Sequence, residues 1–130
     1  QHMAINHRQI EMYRGDAADL PQVLGELHKK FGAHSDLLRI AKVNQQIVAG
    51  YALASPTEQL DYFELAWIGV LPDYRRQTLG RWVAGHAMGV AESKSGRGLW
   101  ARHGEPVKFF QGLGFAVLPN GGFAVEFFPE

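Results

Sequence analysis

Residues 70–81, Val-Leu-Pro-Asp-Tyr-Arg-Arg-Gln-Thr-Leu-Gly-Arg, run from the end of a β-like stretch through a proline and two arginines into a helical pattern. The first turn of a helix leaves backbone N–H groups unpaired and carries the positive end of the helix dipole, which makes it a prepared anion site. Arg75 and Arg76 add fixed charge and forked donors beside it. Gly80 has no Cβ, so a bulky phosphate can approach the backbone closely. A pyrophosphate suits such a place. The same residues also suit a solvated helix start in which Gly80 merely packs against a strand, and this stretch alone leaves both readings open. Nothing elsewhere in the sequence has the spacing of a metal site.

The elements that position this stretch follow from hydrophobic periodicity. Residues 7–15 alternate like a strand, and Asp16 offers a cap for a helix over 17–31, whose stripe is Leu20, Val23, Leu24, Leu27 and Phe31. Residues 36–56 and 61–72 hold apolar runs rich in branched and aromatic side chains, broken at Asn44-Gln45 and near Pro56, and predict three strands in an antiparallel meander. From Arg75 the period changes to three and four through Leu79, Trp82, Val83, His86, Ala87 and Val90, giving a central amphipathic helix that Gly96 and Gly98 follow. His86 on that stripe reads as structural. A short strand at 98–104, a short helix at 105–114 and a hairpin about Asn120-Gly121 complete the chain. The expectation is an α/β (α+β) fold: a mixed, mostly antiparallel sheet of six to seven strands flanked by helices.

Composition narrows the function. The 130 residues suffice for one domain, here 4–130, with Gln1-His2-Met3 reading as a cloning remnant. Thirteen basic residues balance thirteen acidic ones, which argues against nucleic-acid binding through a broad basic surface. The absence of cysteine excludes disulfides, thiolate zinc sites and cysteine nucleophiles. No apolar run approaches the roughly 18 residues of a membrane span, and no signal-peptide layout opens the chain, so a cytoplasmic protein without membrane contact is expected.

Two motifs in the run from Tyr62 to Phe115 carry a resemblance. Arg75-Arg76-Gln77-Thr78-Leu79-Gly80 follows Val70-Leu71-Pro72 as the pattern R/Q-x-x-G-x-G/A follows a strand ending in V-x-P, and Phe109-Phe110 precedes Gly114-Phe115 as two aromatics before G-F. On these residues the chain resembles the GNAT superfamily of N-acetyltransferases, which use acetyl-coenzyme A. The resemblance implies that backbone amides from Gln77 through Thr78, Leu79 and Gly80 to Arg81 cradle the pyrophosphate, flanked by Arg75 and Arg76. It also implies that Ile68 and Val70 expose backbone groups to the pantetheine arm, that the Val70 N–H stabilises the oxyanion, and that Phe110 lies against the cofactor.

Three positions depart from the family pattern. Thr78 replaces the first glycine of the signature, and its Cβ crowds the loop. Phe110 stands where many members carry a tyrosine that protonates the leaving thiolate, so the usual acid is missing. His103 stands where an asparagine is frequent, with Pro106 in place of a small residue.

The implied chemistry also needs a proton acceptor. Neutralising a lysine-like amine of pKa near 10.4 at pH 7 costs roughly 4.6 kcal/mol, and a general base contributes about 10²- to 10⁴-fold. Glu64 is the first candidate: it precedes Leu-Ala-Trp-Ile-Gly-Val on the strand, where some protein-acetylating members place a catalytic glutamate, and strand alternation groups it with apolar Ala66, Ile68 and Val70. His103 is the second, as base or as thiolate acid. The implied partner is an amine-bearing small molecule or peptide, with room for a homodimer. A different class of function also fits: a module that keeps the acetyl-coenzyme A cradle and uses the complex to contact and regulate another protein.

Overall fold

The computed structural model describes residues 7–57, 61–75, 78–102 and 107–127. Seven strands form one sheet in the order β1-β2-β3-β4-β5-β7-β6, comprising β1 (Ile10–Arg14), β2 (Leu37–Val43), β3 (Gln46–Ala54), β4 (Tyr62–Val70), β5 (Gly98–Ala101), β6 (Ala116–Val117) and β7 (Phe123–Glu126). Neighbours run antiparallel except β4 and β5, which are parallel and joined by the crossover helix α2 (Leu79–Ser93). The expected mixed, mostly antiparallel sheet is the observed one. At Asn44-Gln45 both residues take positive φ, 51° and 68°, as a two-residue hairpin between β2 and β3 requires. No helix among the described residues is long and apolar enough to cross a membrane.

Helices cover both faces. Helix α1 (Gln22–Phe31) buries Leu24 against Ala52, Ala66 and Trp67, with Leu20, Leu27 and Phe31 partly buried around them. Helix α2 closes the other face over Tyr51, Leu53, Phe63, Leu65 and Leu99 through Leu79, Val83, Ala87 and Ala91. The short α3 (Val107–Gly112) adds Phe110 to that core. Two boundaries differ from the periodicity reading. Asp16 caps a single 3-10 turn over Ala17–Asp19, and α1 begins only after Pro21, whose ring cannot continue the preceding hydrogen bonds; Val23 is exposed and lies off the stripe. Likewise α2 begins at Leu79, not Arg75, because Pro72–Tyr74 form a separate 3-10 turn that Arg75 ends.

One irregularity in β4 decides which side chains share a face. Leu53 pairs with Leu65 but Ala52 pairs with Trp67, so Ala66 is an extra residue, a β-bulge. Before the bulge Phe63 and Leu65 face α2; after it Ile68 and Val70 do. Trp67 faces α1, and Gly69 leaves room there, since an added Cβ would come within 2.7 Å of Leu27 Cδ1. Glu64 therefore shares the α1 face with Ala66 and Trp67 and not with Ile68 and Val70. The simple alternation expected from the sequence fails at that single insertion.

Candidate active site

Strand β4 has nine residues and β5 four, and the two pair only at Tyr62–Gly98, Phe63–Leu99 and Glu64–Trp100. Beyond Glu64 the described part of the sheet forks. Along the far half of β4, Leu71 donates its N–H to the Val48 carbonyl of β3 at 2.8 Å. Backbone groups of successive residues in a strand point to opposite sides, so Val70, and by the same alternation Ile68, turn theirs away from β3 and into the fork. The Val70 carbonyl agrees with this assignment, because it accepts from Arg75 Nε at 2.9 Å.

The start of α2 lies at the outer end of the fork. A Cβ built on Gly80 would stand 3.8 Å from Val70 Cγ2 and 3.1 Å from Phe109 Cε1. A side chain at Gly80 would thus crowd the Phe109 ring of α3. Leu79 is buried, whereas Arg75, Thr78 and Arg81 are exposed around the helix start. Thr78 has φ 61° and ψ 4°, the left-handed region that a β-branched residue enters only under strain. The crowding expected of Thr78 is therefore a backbone matter: the position demands a conformation that glycine adopts freely. Arg76 and Gln77 lie outside the described residues.

At the inner end of the fork, Glu64 is 6% exposed, and both carboxylate oxygens are held. Oε1 is 2.8 Å from His34 Nε2, on the loop that leaves α1, and Oε2 accepts from Arg102 Nε at 3.0 Å, just past β5. Arg102 also lies over the Trp100 ring at 4.8 Å. Glu64 is thus not a bare carboxylate against an apolar wall but the buried centre of a cluster with two exposed partners, His34 at 51% and Arg102 at 61%. His103 lies outside the described residues. His34 was not singled out from the sequence: it is a lone histidine in Gly-Ala-His-Ser, and its partner stands 30 residues away.

Phe110 is 3% exposed, stacked on Phe123 at 4.8 Å and edge-on to Phe109 and Phe115. The structure places its ring in the core, so the aromatic adjoining the start of α2 is Phe109. His86 is structural, as its place on the helix stripe indicates. Its Nδ1 is 2.7 Å from the hydroxyl of fully buried Tyr51, and its ring stacks on Trp82 at 6.1 Å. Burial, reinforced by the positive charge of Arg39, lowers the His86 pKa and keeps the ring neutral. Burial likewise raises the Tyr51 hydroxyl above its usual range, against an opposing pull from Arg39, so Tyr51 keeps its proton and pairs with Nδ1 as a neutral phenol. Among the described residues, no group of three or more His, Cys, Asp or Glu is placed to hold a metal ion.

Comparison with known proteins adds the family. No curated protein matches the chain. Among solved structures, a GNAT family acetyltransferase from Brucella melitensis in complex with acetyl-coenzyme A superposes with a TM-score of 0.73 at 16% identity, covering 93% of this chain and 90% of that one. A GNAT family acetyltransferase from Elizabethkingia anophelis with acetyl-coenzyme A bound gives 0.72 at 16% identity, with 92% and 99% covered. A mutant of the toxin AtaT, bound to the C-terminus of the antitoxin AtaR and to acetyl-coenzyme A, gives 0.69 at 16% identity, with 91% and 93% covered. At such identities the likeness is one of fold. The sequence itself matches the model of the acetyltransferase (GNAT) family over residues 3–115, a span that holds the forked strands, the start of α2 and the Glu64 cluster alike. By that match and by its fold, the chain belongs to the acetyltransferase (GNAT) family.

Proposed function

We propose that this protein transfers the acetyl group of acetyl-coenzyme A directly to a primary amine of a small molecule or peptide. The observation that carries the reading is the fork between β4 and β5, with a helix N-terminus at its outer end and the Glu64 cluster at its inner end. Glu64 lies six residues from Val70, about 20 Å along the strand at roughly 3.3 Å per residue, so an extended arm held at the helix start can deliver its thioester toward the cluster. The residues fit the cosubstrate in this way: the first N–H groups of α2, with Arg75 and Arg81 beside them, face the pyrophosphate. Ile68 and Val70 offer backbone groups to the arm as it runs along β4 toward the cluster. Acetyl-coenzyme A supplies an activated acyl carbon and a thiolate leaving group. The cluster around Glu64 provides the place for the proton that the amine must lose.

A second reading keeps the cradle and gives up transfer, with the acetyl-coenzyme A complex binding a partner protein. It is supported by Phe110, which has no hydroxyl to protonate a thiolate and is turned into the core. The AtaT structure with its antitoxin segment is a fold relative that holds both acetyl-coenzyme A and a protein partner.

One experiment separates the two. Calorimetry first checks that acetyl-coenzyme A binds. Thiol release from acetyl-coenzyme A is then followed against a panel of primary amines, alongside a pull-down from extract with and without the cosubstrate. Thiol release with one amine and recovery of its acetylated product supports the transferase. A cosubstrate-dependent protein partner that is never acetylated, with no release from any amine, supports the module.

A further inference from the structure

The Glu64 carboxylate is a poor direct destination for the acceptor's proton. Its side chain is 8% exposed, and each oxygen already has a partner, His34 on Oε1 and Arg102 on Oε2. Of the groups in the cluster, the His34 ring is half exposed and is the one that can take up a proton, since Arg102 stays charged. An ionised carboxylate can only accept, so in the 2.8 Å bond the hydrogen belongs to Nε2, which donates to Oε1. That assignment fixes the tautomer and leaves the lone pair on Nδ1.

We propose that His34 Nδ1 is the atom that takes the proton from the acceptor amine, and that Glu64 is a positioning residue that orients the ring and steadies its charged form. The proposal rests on the transferase reading above. In the step, the amine lone pair forms the new N–C bond to the acetyl carbon, and the amine N–H proton passes to His34 Nδ1. The C–S bond breaks, and its electron pair leaves with sulfur as the coenzyme A thiolate. The imidazolium is then held by Glu64 while its extra proton returns to solvent. The same division of labour, a buried carboxylate behind an exposed imidazole, holds the ring ready in serine hydrolase triads.

The charged groups around the ring are consistent with this role. Arg102 shares the carboxylate, donating from Nε to Oε2 at 3.0 Å. Asp36, two residues along the loop, is engaged elsewhere, accepting from the Ser55 N–H at 3.1 Å and the Ser55 hydroxyl at 2.7 Å.

The test uses the full-length protein, acetyl-coenzyme A, and three probe amines: benzylamine, spermidine and an Nα-blocked lysine peptide. His34→Gln keeps an amide N–H that can reach Glu64 but cannot take up a proton. We expect kcat/KM for transfer to fall by about 10²- to 10⁴-fold, with acetyl-coenzyme A affinity by calorimetry unchanged. The limb of the pH profile that rises as the enzyme loses a proton should flatten. Nitrogen-15 NMR of the wild-type imidazole provides a readout that no variant can disturb, and it should show the Nε2–H tautomer. Transfer that survives His34→Gln with its pH profile intact overturns the proposal and leaves the transferase reading standing, as does an Nδ1–H tautomer. No transfer to any of the three amines, with acetyl-coenzyme A still bound, overturns the proposal together with that reading for these acceptor classes.

Discussion

His34 and His86 each hydrogen-bond one side chain across the sheet, at 2.8 and 2.7 Å, yet the two pairs are built for opposite ends. On the α1 face the partner is a carboxylate and the ring is half exposed, so a proton can arrive from solvent and its charge is balanced when it does. On the α2 face the partner is a buried phenol, and burial together with the positive charge of Arg39 keeps the ring neutral. The lesson is that histidine chemistry is set by what lies behind the ring and how much water lies before it. The first pair is suited to move protons; the second holds α2 onto the sheet.

The comparison can be broken most sharply at Glu64. Glu64→Gln keeps the shape and removes the charge, so turnover should fall at least about tenfold while acetyl-coenzyme A affinity measured by calorimetry barely moves. Wild-type turnover across pH 6 to 9 would remove the α1-face pair from the chemistry. On the other face the same kind of change should act on stability instead. Tyr51→Phe leaves the Nδ1 of His86 without its hydrogen-bond partner, which should lower the unfolding free energy by about 1–3 kcal/mol, measured by urea denaturation, with transfer retained.

A smaller effect follows from protonation of His86. Its pKa is lowered in the folded protein, so between that value and the unfolded value near 6.5 the unfolded chain binds more protons than the native one. Stability should therefore decline as pH falls below about 6.5. Denaturation curves from pH 8 to 5 check this, and His86→Gln, which cannot titrate, should flatten the decline; an unchanged slope would refute the assignment. The smallest effect lies apart from both pairs. Thr78→Gly relieves the left-handed strain, about 1–2 kcal/mol, at a cost of about 0.5–1 kcal/mol in chain entropy. A net gain between about 0 and 1.5 kcal/mol is expected from the denaturation midpoint.

The architecture was legible because each element carries a strong local signal. The change of period after Arg75, the Asn44-Gln45 turn and the Asn120-Gly121 turn are set by neighbouring residues. The family signature was legible for the same reason, as a short contiguous motif at a helix start. What escaped depends on contacts distant in sequence or on one residue too many. Ala66 is an alanine in an apolar run, and nothing in its type reveals that it bulges and carries Glu64 to the α1 face. His34 has no periodicity, and only the folded sheet brings it to a carboxylate 30 residues on. The motif position of Phe110 was legible, but not that the six-residue α3 stacks its ring on Phe123. Glu64 itself was visible as the carboxylate opening an apolar strand, though its two partners were not.

The most direct measurement is a double-mutant cycle on acetyl transfer, with kcat/KM determined for wild type, His34→Gln, Glu64→Gln and the double variant on one accepted amine. If Glu64 acts through His34, the two losses are not independent, and the double variant should be about as slow as His34→Gln alone. Losses that multiply, so that the double variant is slower by the product of the two single effects, would show that the residues act separately and would contradict the account.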